Sequence, residues 1–170
     1  MDPKERIPAE WPPLDAREIL RRLTAAGIDF VVIGGIAMVL LGYPRITRDL
    51  DIVFAYDDEN LDGLGRLLIE MKAQLRGVGE VGFVPDRRTL QGIELLTLDT
   101  ALGWFDVHRL PAGVPSYSRL RQNAERVSLD DFTVYVANPD DLIAMKEAAG
   151  RPQDRIDIAA LEAIKRLRER

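Results

Sequence analysis

The sequence predicts an α/β (α+β) fold, a mixed sheet flanked by helices with further helices at the C-terminus. Three observations point there. Short apolar runs rich in β-branched residues, Phe30-Val31-Val32-Ile33 and Ile52-Val53-Phe54, have the length of buried strands. Segments such as Leu61, Leu64, Leu68 and Met71 repeat at helical spacing between those runs. Glycine and proline stand at the junctions, as Gly27, Gly34-Gly35, Gly150 and Pro152.

Taken in order, Met1 to Pro13 is polar and proline-containing, without a secretory hydrophobic core, so residues 1–14 read as a loose lead-in to a cytoplasmic protein. Residues 15–170 then read as a single domain, its helices at 139–170 packing on the sheet. Asp15 caps a helix from Ala16 to about Ala26, with Ile19, Leu20 and Leu23 as the buried stripe and Gly27 as its end. Strand Phe30–Ile33 leads through the two glycines into a short apolar helix, Ile36 to Leu41. A strand containing Asp49 follows, and Asp57-Asp58-Glu59 opens an amphipathic helix reaching about Leu75. Gly77 to Phe83 reads as a connecting loop or strand. Ile93 to Leu98 and Gly103 to His108 form a hairpin, and Ser116 to Ala124 is helical. A second hairpin, Val127 to Leu129 and Phe132 to Val136, turns at Asp130-Asp131. Pro139-Asp140 begins a helix that Gly150 ends, and Pro152 starts the last one where a missing amide is tolerated.

Chemistry enters at the strand ends. Gly34 and Gly35 let backbone approach a ligand, and the amides of the helix behind them suit a phosphate. Asp49 and Asp51 are two apart in a strand, so they share a face while Leu50 and Ile52 point into the core. Their carboxylates, roughly 6 to 7 Å apart along the strand, repel one another without a counter-charge. Mg2+ or Mn2+ resolves that conflict with hard oxygen ligands. Asp106 interrupts a second apolar strand, Trp104-Phe105-Asp106-Val107, and supplies a third carboxylate for a two-metal site. Thr47 and Arg48 precede the metal pair, and each reads as a phosphate contact or as a loop cap and solvated charge respectively. Lys146, in an otherwise apolar helix, reads as a phosphate ligand or a snorkelling lysine. His108 shares the Asp106 face, at the mouth of the site or as a hydrogen-bonded edge residue.

Composition limits the alternatives. The 170 residues carry a net charge of −5, with 46% hydrophobic and 30% charged residues, the profile of a globular enzyme-sized chain that does not bind nucleic acid indiscriminately. Without cysteine there is no disulfide, thiol catalysis or cysteine-held zinc, and one histidine excludes a histidine-rich metal cluster. No apolar stretch reaches membrane-spanning length. Arginines at 45, 48, 151 and 155 fall within the motifs and suit phosphate.

Gly34-Gly35, Asp49-x-Asp51 and Asp106 together resemble the signature of the DNA polymerase β-type nucleotidyltransferase superfamily. The run from Gly34 through Gly42-Tyr43-Pro44-Arg45-Ile46-Thr47-Arg48-Asp49-Leu50-Asp51 resembles the small bacterial nucleotidyltransferases grouped with AbiEii-type toxins. So do Asp141 to Lys146 and Ala149 to Ile158, which match a lysine helix and the Asp-x-x-Asp helix after it. The likeness runs from about Asp29 to the C-terminus. It implies a Mg2+-dependent transfer of NMP from an NTP to an acceptor hydroxyl, with Asp49, Asp51 and Asp106 as metal ligands. It also implies phosphate binding at Gly34, Gly35, Thr47, Arg48 and Lys146, with Asp157 orienting Lys146 or an arginine. Ile36 stands where many members carry a serine. The implied acceptor is a tRNA end, in a toxin–antitoxin setting with an antitoxin partner. A small-molecule antibiotic acceptor, or a catalytically idle module that binds a nucleotide or a protein, are the other readings. A chain this short is also expected to draw on a partner surface to complete its acceptor site.

Overall fold

The computed structural model describes residues 12–78 and 82–170. The expected lead-in at residues 1–14 therefore lies, up to residue 11, outside the described residues, as does the centre of the expected loop or strand at Gly77 to Phe83.

Among the described residues, seven strands form one mixed sheet in the order β3-β4-β5-β2-β1-β7-β6. They are β1 Phe30–Ile33, β2 Asp49–Phe54, β3 Gln74–Leu75, β4 Leu95–Thr100, β5 Gly103–His108, β6 Glu125–Leu129 and β7 Phe132–Val136. The central strands are the most apolar, with all four residues of β1 buried, as a strand covered on both faces must be. The two chemically decisive pairings are β1 with β2, antiparallel, and β2 with β5, parallel. The second sets Asp51 directly beside Asp106.

The helices are α1 Ala16–Ala25, α2 Gly34–Leu40, α3 Asp58–Glu70, α4 Arg87–Gln91, α5 Tyr117–Asn123, α6 Pro139–Ala149 and α7 Asp154–Arg168. Their starts follow the capping residues. The side chains of Asp15, Asp57, Asp86, Ser116 and Asn138 each accept a hydrogen bond from a first-turn amide. Gly150 ends α6 in the left-handed conformation, φ 63°. Helix α1 buries Ile19, Leu20 and Leu23, and α3 buries Leu61, Leu64, Leu67 and Leu68. Leu142, Ile143 and Leu161 bring the two C-terminal helices into the same buried cluster as the strands.

Asn60, buried in the first turn of α3, ties down the end of the sheet away from the glycine turn. Its Oδ1 accepts from the Asp29 amide at 2.7 Å, and its Nδ2 donates to the carbonyls of Asp29 and Ala55 at 3.0 and 2.8 Å. These bonds satisfy the backbone where β1 begins and β2 ends, so the register that delivers Asp51 at the other end is held from both sides.

Several boundaries differ from the sequence expectation, β6 among them, which begins two residues earlier than expected, at Glu125. The helix expected to reach Leu75 stops at Glu70, Lys72 turns left-handed at φ 55°, and Gln74–Leu75 pair with the otherwise open edge of β4. Met71 is buried whichever way the chain continues, which is why the apolar stripe overran the helix. The hairpin strand expected at Ile93 to Leu98 is shifted to Leu95–Thr100 by its register with β5. Both glycines belong to the first turn of α2 instead of preceding it. The last helix starts at Asp154, because Arg151 to Gln153 form a turn in which the Asp154 amide bonds the Arg151 carbonyl at 3.0 Å. Helix α4, five residues long, and the two-residue β3 are elements that the sequence pattern did not announce.

Candidate active site

The glycine turn and the aspartates meet for steric reasons that the sequence encodes. Gly34 sits at φ +70°, and a Cβ there would lie 2.7 Å from Asp51 Oδ2. A Cβ on Gly35 would lie 2.8 Å from Thr47 Oγ1. Glycine at both positions is thus what lets β2 and its preceding loop close against α2. Thr47 Oγ1 donates to the Asp49 carbonyl at 3.1 Å, and fixes the loop just before the first carboxylate.

Strand alternation and the β2–β5 pairing gather Asp49, Asp51 and Asp106, each of which offers one carboxylate oxygen within 4.8 Å of those of the other two. Asp49 and Asp51 are half-buried and Asp106 is buried. An all-carboxylate donor set of this compactness fits a hard divalent cation such as Mg2+ or Mn2+.

The sheet supplies partial compensation. His108 Nε2 lies 2.9 Å from Asp51 Oδ1, and Arg76 Nη2 donates to Asp106 Oδ1 at 2.5 Å. His108 is thus hydrogen-bonded and also faces the site, so the two sequence readings of it coincide. Burial first, and then the charge of Asp51, push the Asp106 carboxyl up to about 7 against the opposing pull of Arg76.

A raised folded-state pKa means that the folded chain holds this proton more tightly than the unfolded chain does. Asp106 therefore contributes stability that is fully present below about pH 4 and is lost as pH rises through about 7. In chelator, Asp106→Asn is expected to match the wild-type melting temperature near pH 4 and to exceed it progressively toward pH 7.5. Each kcal/mol corresponds to roughly 2–4 °C for a chain of this size. Parallel melting curves across that range check it, and a difference independent of pH would contradict it.

These acids form one side of a cleft of about 430 Å³ whose walls include Gly34, Gly35, Arg45, Thr47, His108, Lys146 and Arg151. Leu95, Pro111, Leu142, Met145 and Ala149 give it an apolar side. Lys146 Nζ reaches Asp157 at 2.8 Å and Asp154 at 3.6 Å. Arg45 also pairs with Asp157, and Arg151 with Asp154 at 3.0 Å. Two buried α7 aspartates thus hold three cations in the wall of the cleft that the acidic cluster also lines.

Of the residues singled out from sequence, Gly34, Gly35, Thr47, Asp49, Asp51, Asp106 and Lys146 line this one cleft, with Asp157 behind Lys146. Arg48 does not join them: it is exposed and outside the walls, because it neighbours the strand that turns its carboxylates inward. Arg155 is likewise exposed. Arg76 was missed, since no motif surrounds it and only the β3–β4–β5 pairing brings it to Asp106.

Several solved structures share this fold. The lincosamide antibiotic adenylyltransferase LnuA, lincomycin-bound, superposes with a TM-score of 0.60 at 17% identity, over 89% of this chain and 99% of that one. ANT(2")-Ia in complex with adenylyl-2"-tobramycin gives 0.55 at 14%, over 90% and 92%. An antigenic nucleotidyltransferase-like protein from Paracoccidioides brasiliensis gives 0.53 at 20%, over 91% and 78%. No curated protein matches the chain. Among the described residues no helix is long and apolar enough to cross a membrane. The sequence model of the nucleotidyl transferase AbiEii toxin family, type IV toxin–antitoxin system, matches residues 18–166, and with this span and these carboxylates the chain belongs to the AbiEii nucleotidyltransferases.

Proposed function

We propose that this nucleotidyltransferase transfers NMP from an NTP to an acceptor hydroxyl on RNA, a tRNA end, with Mg2+ or Mn2+ held by Asp49, Asp51 and Asp106. The observation that carries the reading is that three clustered carboxylates and the cations Arg45, Lys146 and Arg151 line one cleft. A triphosphate and a divalent cation satisfy both sides at once. The toxin–antitoxin setting rests on family membership, and the tRNA acceptor on the family resemblance set out from the sequence.

The acceptor oxygen forms a bond to the α-phosphorus as the bond to the β-phosphate oxygen breaks, and pyrophosphate leaves. When bound, the cation neutralises developing phosphate charge and lowers the pKa of the attacking hydroxyl. Asp49 and Asp51 would hold that cation, and Asp106 would either complete the ligand set or accept the proton of the attacking hydroxyl. Gly34 and Gly35 leave room for the phosphates beside Asp51, and Thr47 fixes the approach of β2. Lys146, pinned by Asp157 at 2.8 Å, supplies positive charge to the phosphates without conformational search.

Lys146→Met keeps the apolar stem and removes the charge, so it is expected to lower kcat/KM for the NTP roughly 10²–10³-fold. Steady-state kinetics on folded protein test it, and an unchanged kcat/KM would return Lys146 to a purely structural role.

The reaction itself is tested by transfer of label from each α-32P NTP, with Mg2+ or Mn2+, to total tRNA and to aminoglycosides and lincosamides, with Asp49→Ala alongside. Labelled tRNA that disappears with the variant supports the reading. Labelled antibiotic would establish the second reading, which the fold shared with antibiotic-bound LnuA and ANT(2")-Ia favours. No label in any lane, from folded metal-binding protein, would favour an idle binding module.

A further inference from the structure

One close backbone contact outside the motifs joins the carboxylate side of the cleft to the lysine helix. The chain leaves β5 at His108, two residues after Asp106, and five residues further on Gly113 lies against the main chain of α6. Gly113 makes that contact in a left-handed conformation, φ +91°. A Cβ built there would stand 2.5 Å from the Ala144 carbonyl oxygen, 2.8 Å from the Ala144 carbonyl carbon and 3.0 Å from the Met145 nitrogen. All three are main-chain atoms, so no side-chain rotation relieves the clash.

Both sides of the contact are anchored. On the loop side the Arg109 amide donates to the Glu94 carbonyl at 2.9 Å, and Val114 is buried. On the helix side Leu142 and Ile143 are buried, and Lys146, two residues past Ala144, is tied to α7 through Asp157 at 2.8 Å and Asp154 at 3.6 Å. Pro111 from the loop and Met145 from the helix both line the cleft. The contact therefore lies between the element that carries Asp106 and the one that carries Lys146.

We propose that Gly113 is a positioning residue that sets how far Lys146 stands from the carboxylate cluster. Ordinary van der Waals contact begins at 3.4 Å. A side chain at this position therefore pushes the loop and α6 apart by roughly 1 Å, a displacement that costs about 10²-fold in rate when it falls on the reacting geometry. The cation site does not share that displacement, because Asp49, Asp51 and Asp106 are held together by the pairing of β2 with β5, in which α6 takes no part. The proposal rests on the reading that Lys146 meets the phosphates and the three carboxylates hold the cation.

The experiment measures two affinities, each without nucleobase or acceptor: magnesium tripolyphosphate by calorimetric titration, and Mn2+ alone by electron paramagnetic resonance of the free ion. The proteins are wild type, Gly113→Ala, Lys146→Met and Gly27→Ala, the last because it carries left-handed strain at φ +71° with nothing within 4 Å of the new methyl. Gly113→Ala is expected to weaken tripolyphosphate about tenfold, the loss of one charge-assisted contact, and to keep the wild-type Mn2+ affinity. Lys146→Met should weaken tripolyphosphate at least as much, and Gly27→Ala should change neither affinity. Undiminished tripolyphosphate binding by Gly113→Ala would mean that the loop gives way and the distance to Lys146 is set elsewhere. Loss of both affinities, or an equal loss in Gly27→Ala, would mean that backbone strain loosens the whole site. Each overturns the role of Gly113 and leaves the phosphate site standing. No tripolyphosphate binding by wild type, or full binding by Lys146→Met, would instead remove Lys146 from the phosphates and this proposal with it. Should Gly113→Ala not fold, Gly113→Asn places the same Cβ in a residue more tolerant of positive φ.

Discussion

Asp51→Asn is expected to abolish nucleotidyl transfer, by at least roughly 10³-fold in kcat, while leaving the chain folded. Asp51 is the hub of the site. It pairs in register with Asp106 on β5, touches His108 at 2.9 Å and packs against the space left by Gly34. Asparagine has nearly the same shape, so packing survives, but it removes the charge that a divalent cation needs from a cluster this small. A binding assay separates this from misfolding. Saturating Mg2+ at 100 times its Kd should stabilise wild type by about 2.7 kcal/mol, and that gain should vanish in the variant. The metal-free variant should melt no lower than wild type, because the charge of Asp51 is, after burial, the largest cause that pushes Asp106 up. Retained transfer with retained Mg2+ stabilisation would remove Asp51 from the catalytic cluster.

The position of Asp51 was legible because strand physics is local. Acids that interrupt apolar β-branched runs with period two must leave the core face, and Leu50 and Ile52 are fully buried on the other. The cap at Asp15 and the helix start at Asp57 were equally legible, and both side chains bond amides three residues on. What pairing creates was not legible. The contact of His108 with Asp51 exists because β2 and β5 run parallel in one register, and a slip of one residue would turn the histidine to the opposite face. Arg76 reaches Asp106 through a two-residue strand that no periodicity distinguishes from a helix end. The link from Asp157 to Lys146 and Arg45 came from the family resemblance, which implied it, since helical spacing alone does not show it. The exposed Arg48 shows the converse: nearness to a motif in sequence did not place its side chain in the cleft.

Gly34→Ala is expected to inactivate the enzyme by a different route, through the backbone that supports the carboxylates. Two costs combine there. An alanine at φ +70° bears a left-handed strain of roughly 1–2 kcal/mol. Its Cβ would also lie 2.7 Å from Asp51 Oδ2 and 3.2 Å from Asp51 Cβ, so the carboxylate must move. Since β1 and β2 are paired at Ile33 and Asp51, the main chain beneath has little freedom to follow, and the displacement falls on the cation-binding atoms. Gly27 provides the control, because it has nearly the same conformation, φ +71°, with nothing within 4 Å of where an alanine methyl would sit. Gly27→Ala should therefore lose stability by a similar strain and keep its activity and Mn2+ affinity. Gly34→Ala should lose stability and, in addition, both of those. Melting curves, Mn2+ titration and transfer assays on the two variants separate strain from displacement. Equal behaviour of the two would mean that Gly34 serves the turn alone, whereas a selective loss at Gly34 would show that the glycine is there because Asp51 occupies the space a side chain would need.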